Sequence, residues 1–234
     1  MNHMDELDTS PEKASAHGLR GHVSLLCEIL LFLFFINTFL IQSFVIPSGS
    51  MQNNLLIGDH LLVEKISYSQ SWGKIDTLLL PRQPIRRGSM VTFKAPPEPD
   101  KEYVKRVIGL PGERICIVNN TVYINGRAIK EDYVTFMEDH SGQFHGENMG
   151  EQLVPADHYF CMGDNRWNSS DSRFWGPVHR DHIIGRPWLI YWSFEANRDD
   201  YRDTRFLAKI KSIAVTALSF FSQTRWERTI MPIR

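Results

Sequence analysis

Cysteine is scarce in this chain. Cys27, Cys116 and Cys161 are its three cysteines in 234 residues, and their spacing makes neither a disulfide framework nor a four-ligand zinc site. Cys27 lies inside an oily run, while Cys116 and Cys161 read either as buried thiols or, in an oxidising compartment, as a bridge. An excess of charge is also lacking: 26 Lys and Arg against 27 Asp and Glu leave a formal net charge of -1. That balance provides no basic stripe, so no nucleic-acid partner is expected. The nine histidines sit in neither a G-x-S-x-G elbow nor an H-E-x-x-H pair, so neither a Ser-His-Asp elbow nor a metalloprotease helix is signalled. No internal repeat is visible, and nothing calls for a metal or an organic cofactor.

The chain does have one long apolar run. "VSLLCEILLFLFFINTFLIQSFVI", Val23 to Ile46, holds roughly 24 residues, against the ~20 a helix needs to cross the hydrocarbon core. The expectation is a transmembrane helix, with Glu28, Asn37 and Gln42 near its ends where polar groups can reach the headgroups. The run is too long for a cleavable signal peptide, and no A-x-A site succeeds it. Lys13 and Arg20 precede it, and no Lys or Arg comes after it until Lys65. The positive-inside rule therefore puts the N-terminus in the cytoplasm and everything after Pro47 outside.

Downstream, short alternating runs cut by turn residues point to a mainly β domain. "HLLVEKI" and "MVTFKA" read as strands, and "RICIVNNTVYINGRAI" reads as a β-meander turning at Asn119-Asn120 and Asn125-Gly126. The stretches from Ser69 to Gly88 and from Glu138 to Gln152 read as insertions between strands. "FLAKIKSIAVTALSFFS", Phe206 to Ser222, is helix-prone but too short to span, and is expected on the domain or on a membrane surface. The chain thus divides into a cytoplasmic tail over 1–22, a span over 23–46, an extracytoplasmic domain over 47–205 and a C-terminal amphipathic segment over 206–234.

Three stretches carry chemistry. "IPSGSM" places Ser48 and Ser50 around Gly49 directly after the apolar run. "EYVKRVIGLPGE" puts Tyr103, Lys105 and Val107 on one face of a strand, where apolar neighbours can lower the lysine pKa and leave a neutral amine to serve as a base. Arg106 points the other way and cannot deprotonate. "MGDNRWNSSDSRFWGPV", Met162 to Val178, is dense in Gly, Asp, Asn, Ser and Arg, as in an Asx-rich turn network, yet carries two tryptophans that a plain loop has little use for.

In this order behind an apolar run, the three stretches resemble bacterial signal peptidase I, the leader peptidase, over roughly Ile41 to Phe194. The resemblance implies a membrane-anchored serine endopeptidase with a Ser-Lys dyad: one N-terminal transmembrane helix, then a signal-peptidase-like β-sheet or barrel domain. By the same resemblance Ser50 is the nucleophile and Lys105 the general base. Ser48 and the backbone N–H of Ser50 form the oxyanion hole, Ser169 orients the lysine, and Asp171 and Arg173 form a supporting salt bridge. An extended peptide then lies beside Phe44, Ile46, Tyr103 and Val104, which wall shallow pockets for the small residues of an A-x-A site.

The implied partners are exported preproteins bearing signal peptides, the lipid bilayer and, by proximity, the secretion translocon. The implied location is the bacterial inner membrane, single-pass. Gln52-Asn53-Asn54-Leu55 stands where the family commonly has Met-Pro-Thr-Leu, Ser89 where an aspartate usually comes after Arg-Gly, and Trp167 where "GDNRDNS" has an aspartate. None of these removes a catalytic group. Two rival readings compete: an inactive tethered peptide-binding module, which needs neither Ser50 nor Lys105, and a specialised Ser-Lys processing protease for a dedicated secretion or conjugation substrate. A self-cleaving repressor is disfavoured because no DNA-binding segment is recognisable.

Overall fold

The computed structural model describes residues 11–68, 83–137, 147–195, 216 and 218–233. The chain divides between Leu40 and Ile41 into two units. The first contains helix α1, Pro11–Phe35, continued by one π-helical turn, Ile36–Leu40. Its stretch Gly21–Leu40 is a candidate membrane span of 20 residues with mean hydropathy 2.3. Leu31, Phe32 and Phe34 are exposed on it, and the one carboxylate in the run, Glu28, accepts a hydrogen bond from Ser24 Oγ one turn earlier.

The helix does not run on to Ile46. Ile41–Val45 is strand β1, paired antiparallel to β2, Asp59–Glu64, with Phe44 opposite Leu61 and Val45 opposite His60. Periodicity over an all-apolar run cannot separate a helix from a buried strand. Pairing with β2 decides it, because the alternation of that strand presents Leu61 and Val63 to the core.

The second unit is built on two sheets. β3, Met90–Ala95, pairs with the long β4, Glu98–Gly109, which then pairs with β9, His158–Met162. β10, Val178–His179, extends β9. β11, Ile183–Ser193, runs between β2 and β3, so that the eight-stranded sheet has the order β1-β2-β11-β3-β4-β9-β10, with β12, Met231–Pro232, also paired to β11. The second sheet has the order β7-β6-β5-β8, from β5 Arg114–Val118, β6 Thr121–Ile124, β7 Arg127–Ala128 and β8 Met149–Leu153.

The meander is as expected. Asn119 and Asn120 both have positive φ, 48° and 62°, as do Asn125 and Gly126, 51° and 77°, which is the requirement of two-residue hairpin turns whose twist matches the strands. β8 is the exception to the reading of 138–152 as an insertion. Residues 138–146 lie outside the described residues, but Met149–Leu153 pairs with β5. As an edge strand with mostly exposed side chains, it lacks the apolar alternation by which strands are recognised.

Of the segment 69–88, residues 69–82 lie outside the described residues. So does 206–215 of the helix-prone C-terminal stretch. The chain closes with a short helix, Phe220–Gln223, a 3-10 turn, Trp226–Arg228, and β12. The three cysteines are free thiols, so Cys116 and Cys161 form no bridge.

Three apolar clusters fill the domain. Val91, Phe93, Val107 and Cys161 centre the first. Ile108, Ile115, Phe160 and Met162 centre the second, under the smaller sheet. Ile46, Met51, Leu55, Leu61 and Ile190 make the third, around the start of the domain. Strand β4 serves two of them by alternation: Val107 enters the first and Ile108 the second.

Where β11 meets β2 the backbones approach so closely that a Cβ on Gly185 would stand 2.2 Å from the Glu64 carbonyl oxygen. Gly185→Ala is expected to cost at least ~2 kcal/mol, because a backbone atom cannot step aside as a flexible side chain can. Thermal melting of the variant should show a clear drop in Tm.

Candidate active site

Beyond β1, Ser48 has extended backbone at φ -140° and ψ 155°, and Gly49–Met51 then form one 3-10 turn. Both flanks are pinned. Ile46 N donates to Asp59 O and Gly58 N donates to Ile46 O, each at 2.9 Å, while Met51 is 1% exposed in the third cluster. The buried Met51 therefore anchors the turn and leaves Ser50 little freedom. Ser50 itself is buried, and Ser48 Oγ donates to Ser50 Oγ at a long 3.5 Å.

Lys105 comes to the same place from β4, opposite Val91. Its Nζ lies 2.5 Å from Ser50 Oγ. The Tyr103 ring stands 5.5 Å from the same nitrogen, as alternation predicts for residues two apart. At 4% exposure the ammonium loses most of its hydration. Burial lowers its pKa from 10.5 to about 8; the carboxylates of Asp171 and Asp164 oppose that shift, and Arg173 assists it. The lysine is thus within reach of its neutral form near neutral pH.

The third motif packs against this pair. A Cβ on Gly163 would come within 2.3 Å of Ser169 Oγ and 2.5 Å of Ser50 O, so only glycine fits there. Gly163 N donates to Asp171 Oδ2 at 3.0 Å. Asp171 caps the short helix α2, Ser172–Trp175, and pairs with Arg173 through Nε at 2.8 Å and Nη2 at 2.8 Å. Burial would push the Asp171 carboxyl up, but the Arg173 guanidinium and the Gly163 N–H hold it below the usual carboxylate range. An Asp171–Arg173 ion pair is therefore present. Ser169 is fully buried against Gly163 and beside Asp171, yet its hydroxyl makes no hydrogen bond to Lys105.

Of the four residues expected along the peptide, Phe44, Ile46 and Val104 pack into the third cluster. Tyr103 lies on the other face of β4 against Phe93, with ring centroids 6.4 Å apart. The structure thus joins three of them in one wall and sets the fourth beside the lysine.

Several residues that hold the site escape a reading of the sequence. Arg106, expected only to face away from Lys105, grips Asp164 through Nε at 2.8 Å and Nη2 at 2.7 Å and lies 4.1 Å from the Tyr133 ring centroid. Tyr133 donates to Glu131, which pairs with the buried Arg166 at 2.6 Å. Asn165 is the hinge between the motifs: its N–H donates to Ser50 O at 3.0 Å, its Nδ2 to Gly49 O at 3.4 Å, and its Oδ1 accepts from Met137 N at 3.1 Å. The one signal in the sequence is the polar density of "GDNRWNSSDSR", too high to be solvated by water alone once the motif is buried.

His60 stacks on Trp192 at 4.7 Å, and burial lowers its pKa. His158, His179 and His182 contact one another on and beyond β9 and β10. No group of His, Cys, Asp and Glu among the described residues could hold a metal ion.

A family model for "Signal peptidase, peptidase S26" matches residues 19–192. The chain belongs to the signal peptidase I family. A signal peptidase I of Pseudomonas aeruginosa is 32% identical over 198 residues, covering 71% of this chain and 70% of that one. One of Leptolyngbya laminosa is 38% identical over 164 residues, covering 67% and 71%. A crystal structure of a signal peptidase I from Enterococcus faecalis V583 is 30% identical, covers 45% of this chain and 97% of that one, and has a TM-score of 0.38. Membership of the signal peptidase I family makes the chain a serine peptidase, a hydrolase.

Burying Lys105 has a thermodynamic cost. Because its folded pKa lies below the unfolded value, the penalty is full below about pH 8 and fades as pH rises to 10.5. The shift corresponds to about 3 kcal/mol. Lys105→Met is therefore expected to raise the stability of the folded chain at pH 7, with the gain shrinking as pH climbs from 8 towards 10.5. Chemical denaturation at a series of pH values checks both sign and window.

Proposed function

We propose that this signal peptidase removes signal peptides from exported preproteins with Ser50 as nucleophile and Lys105 as general base. The observation that carries the reading is the 2.5 Å approach of Lys105 Nζ to Ser50 Oγ in a buried site that lowers the lysine pKa to about 8. A neutral amine there takes the Ser50 proton as Oγ attacks the scissile carbonyl, then returns it to the departing amine. The resulting ester is hydrolysed when the amine activates a water in the same way. Ser48 Oγ and the N–H of Ser50, in a 3-10 turn whose first N–H groups have no partner within it, are the donors for the oxyanion.

Ser169, beside Asp171, keeps the lysine pocket packed, and the Asp171–Arg173 pair fixes the loop that carries it. A substrate in extended form can add as a strand, because no strand pairs the outer edge of β1 or the outer edge of β4 at Tyr103 to Lys105 among the described residues. Phe44, Ile46, Tyr103 and Val104 then bound pockets for small side chains, which suits cleavage after A-x-A.

We read the chain as anchored once in the bacterial inner membrane, with its tail, 1–22, in the cytoplasm and the peptidase domain outside, close to where the translocon delivers preproteins. The exposed Leu218, Phe221, Trp226 and Ile230 support contact of the C-terminal segment with lipid.

Ser50→Ala or Lys105→Ala should reduce processing of an A-x-A preprotein by at least ~10³-fold while leaving the domain folded. For the parent, kcat/KM should rise about tenfold per pH unit below about pH 8 and level off above it, since the limb reports a monoprotic base in the free enzyme. Normal processing by folded Lys105→Ala, or a limb that disappears on histidine substitution, would sink the dyad. Mapping the new N-termini of a preprotein panel tests the cleavage site itself.

A further inference from the structure

The segment after the nucleophile, Met51 to Asp59, contains no proline and passes through Asn53 at φ 93°, a left-handed conformation that costs an ordinary residue energy. Such a turn needs holding from outside. Part of the hold comes from within: Asn54 N and Leu55 N donate to Met51 O at 3.1 and 2.8 Å. The rest comes from the other end of the chain. Arg228 Nη2 donates to Asn54 O at 2.9 Å and to Asp59 Oδ2 at 2.6 Å. Asp59, fully buried, also accepts from Leu56 N at 2.8 Å and Ser193 Oγ at 2.6 Å. Arg225 Nη2 donates to Ile57 O, and to Phe194 O at 2.6 Å. A Cβ on Gly58 would lie 1.9 Å from that same Phe194 oxygen.

These bonds continue to the lysine. The Asn54 side chain donates to Asp164 Oδ2 at 2.7 Å, and Asp164 is the carboxylate gripped by Arg106, the neighbour of Lys105. One guanidinium near the C-terminus therefore touches the turn beyond Ser50, and that turn touches the ion pair behind Lys105. The attachment of the C-terminal segment is otherwise ordinary pairing: Arg225 N to Ser193 O, Glu195 N to Gln223 O and β12 on β11.

Resting on the Ser50–Lys105 reading, we infer that Arg228 is a positioning residue for catalysis: it fixes the carbonyl of Asn54 and the Asp59 carboxylate, and thereby the placement of Ser50 against Lys105. Its role is distinct from general stability because both of its partners lie in the turn leading away from the nucleophile. A small displacement of Ser50 acts on the transition state more than on a peptide held by strand pairing, so the loss belongs in kcat.

The test uses the full chain in detergent micelles and a preprotein with a small-residue cleavage site. Arg228→Met alone strands the buried Asp59 charge and can unfold the domain, so Arg228→Met is combined with Asp59→Asn, whose amide keeps an acceptor for Leu56 N. The double variant should melt within a few degrees of the parent, lose roughly tenfold or more in kcat with KM within about twofold, and keep the acidic limb of its pH profile in place. Arg228→Lys, whose single ammonium can reach both acceptors, should recover most of the rate.

An unchanged kcat in the folded double variant overturns the inference. So does a loss that tracks the fraction unfolded, or one confined to KM. Ser50→Ala runs alongside: cleavage by it takes down the dyad reading and this inference with it, whereas an inactive Ser50→Ala beside fully active Arg228 variants overturns the positioning role alone.

Discussion

The burial of one ammonium group is the constraint around which this domain is organised. Lys105 sits on a central stretch of β4 with 4% exposure, and burial lowers its pKa only as far as nearby negative charge allows. Two carboxylates, Asp171 and Asp164, raise that pKa, and Arg173 lowers it. Each carboxylate is held by its own arginine: Asp171 by Arg173, Asp164 by Arg106. Had either been left unpaired, it would have raised the lysine pKa further. The arginines thus hold the loops together and leave burial as the dominant influence on Lys105.

Ser50 is held by bonds to its own backbone from the third motif. Asn165 donates to the Ser50 and Gly49 carbonyls and accepts from Met137 N, and Thr135 bridges the same residue through its backbone. The third motif therefore lies between the serine turn on one side and the segment Glu131 to Met137 on the other. The arrangement contains a row of buried ion pairs, Arg166–Glu131 among them, a kind of contact whose desolvation cost offsets much of its attraction. Their fork geometry fixes angles that apolar contacts leave loose. That is the property a site requiring a 2.5 Å approach depends on.

Much of this is legible in the sequence. The meander is readable because Asn-Asn and Asn-Gly tolerate positive φ and few other pairs do. The strands β2 and β3 are readable because their alternation is clean, and the Tyr103–Lys105 face because a strand has period two. The end of the helix at Leu40 is not, since "IQSFV" is as apolar as the residues before it and only pairing with β2 tells a strand from a helix there. β8 is hidden by its exposed edge position. Arg106, Glu131, Arg166 and Arg228 are hidden for a different reason: no local pattern distinguishes an arginine that finds a buried carboxylate 35 or 169 residues away from one that points into water.

The placement of the histidines bears on why lysine is the better candidate for the base. A histidine base needs a second group to fix its tautomer and to stabilise the imidazolium it becomes. His60 is occupied in a stack with Trp192 and contacts the Tyr191 hydroxyl at 3.4 Å. His158 commits a ring nitrogen to Ala156 O, and His179 uses Nδ1 to cap the 3-10 turn that holds Asp181. None of the three contacts Ser50 among its described hydrogen bonds. Lysine needs no tautomer and no third partner; it needs only to be dry, and β4 provides that by its place between β3 and the third motif. The tuning of Lys105 is thus a packing problem, solved by the same core that holds the fold, which is why Lys105 and the Asp171 and Ser169 beside it are also among the most deeply buried residues in the domain.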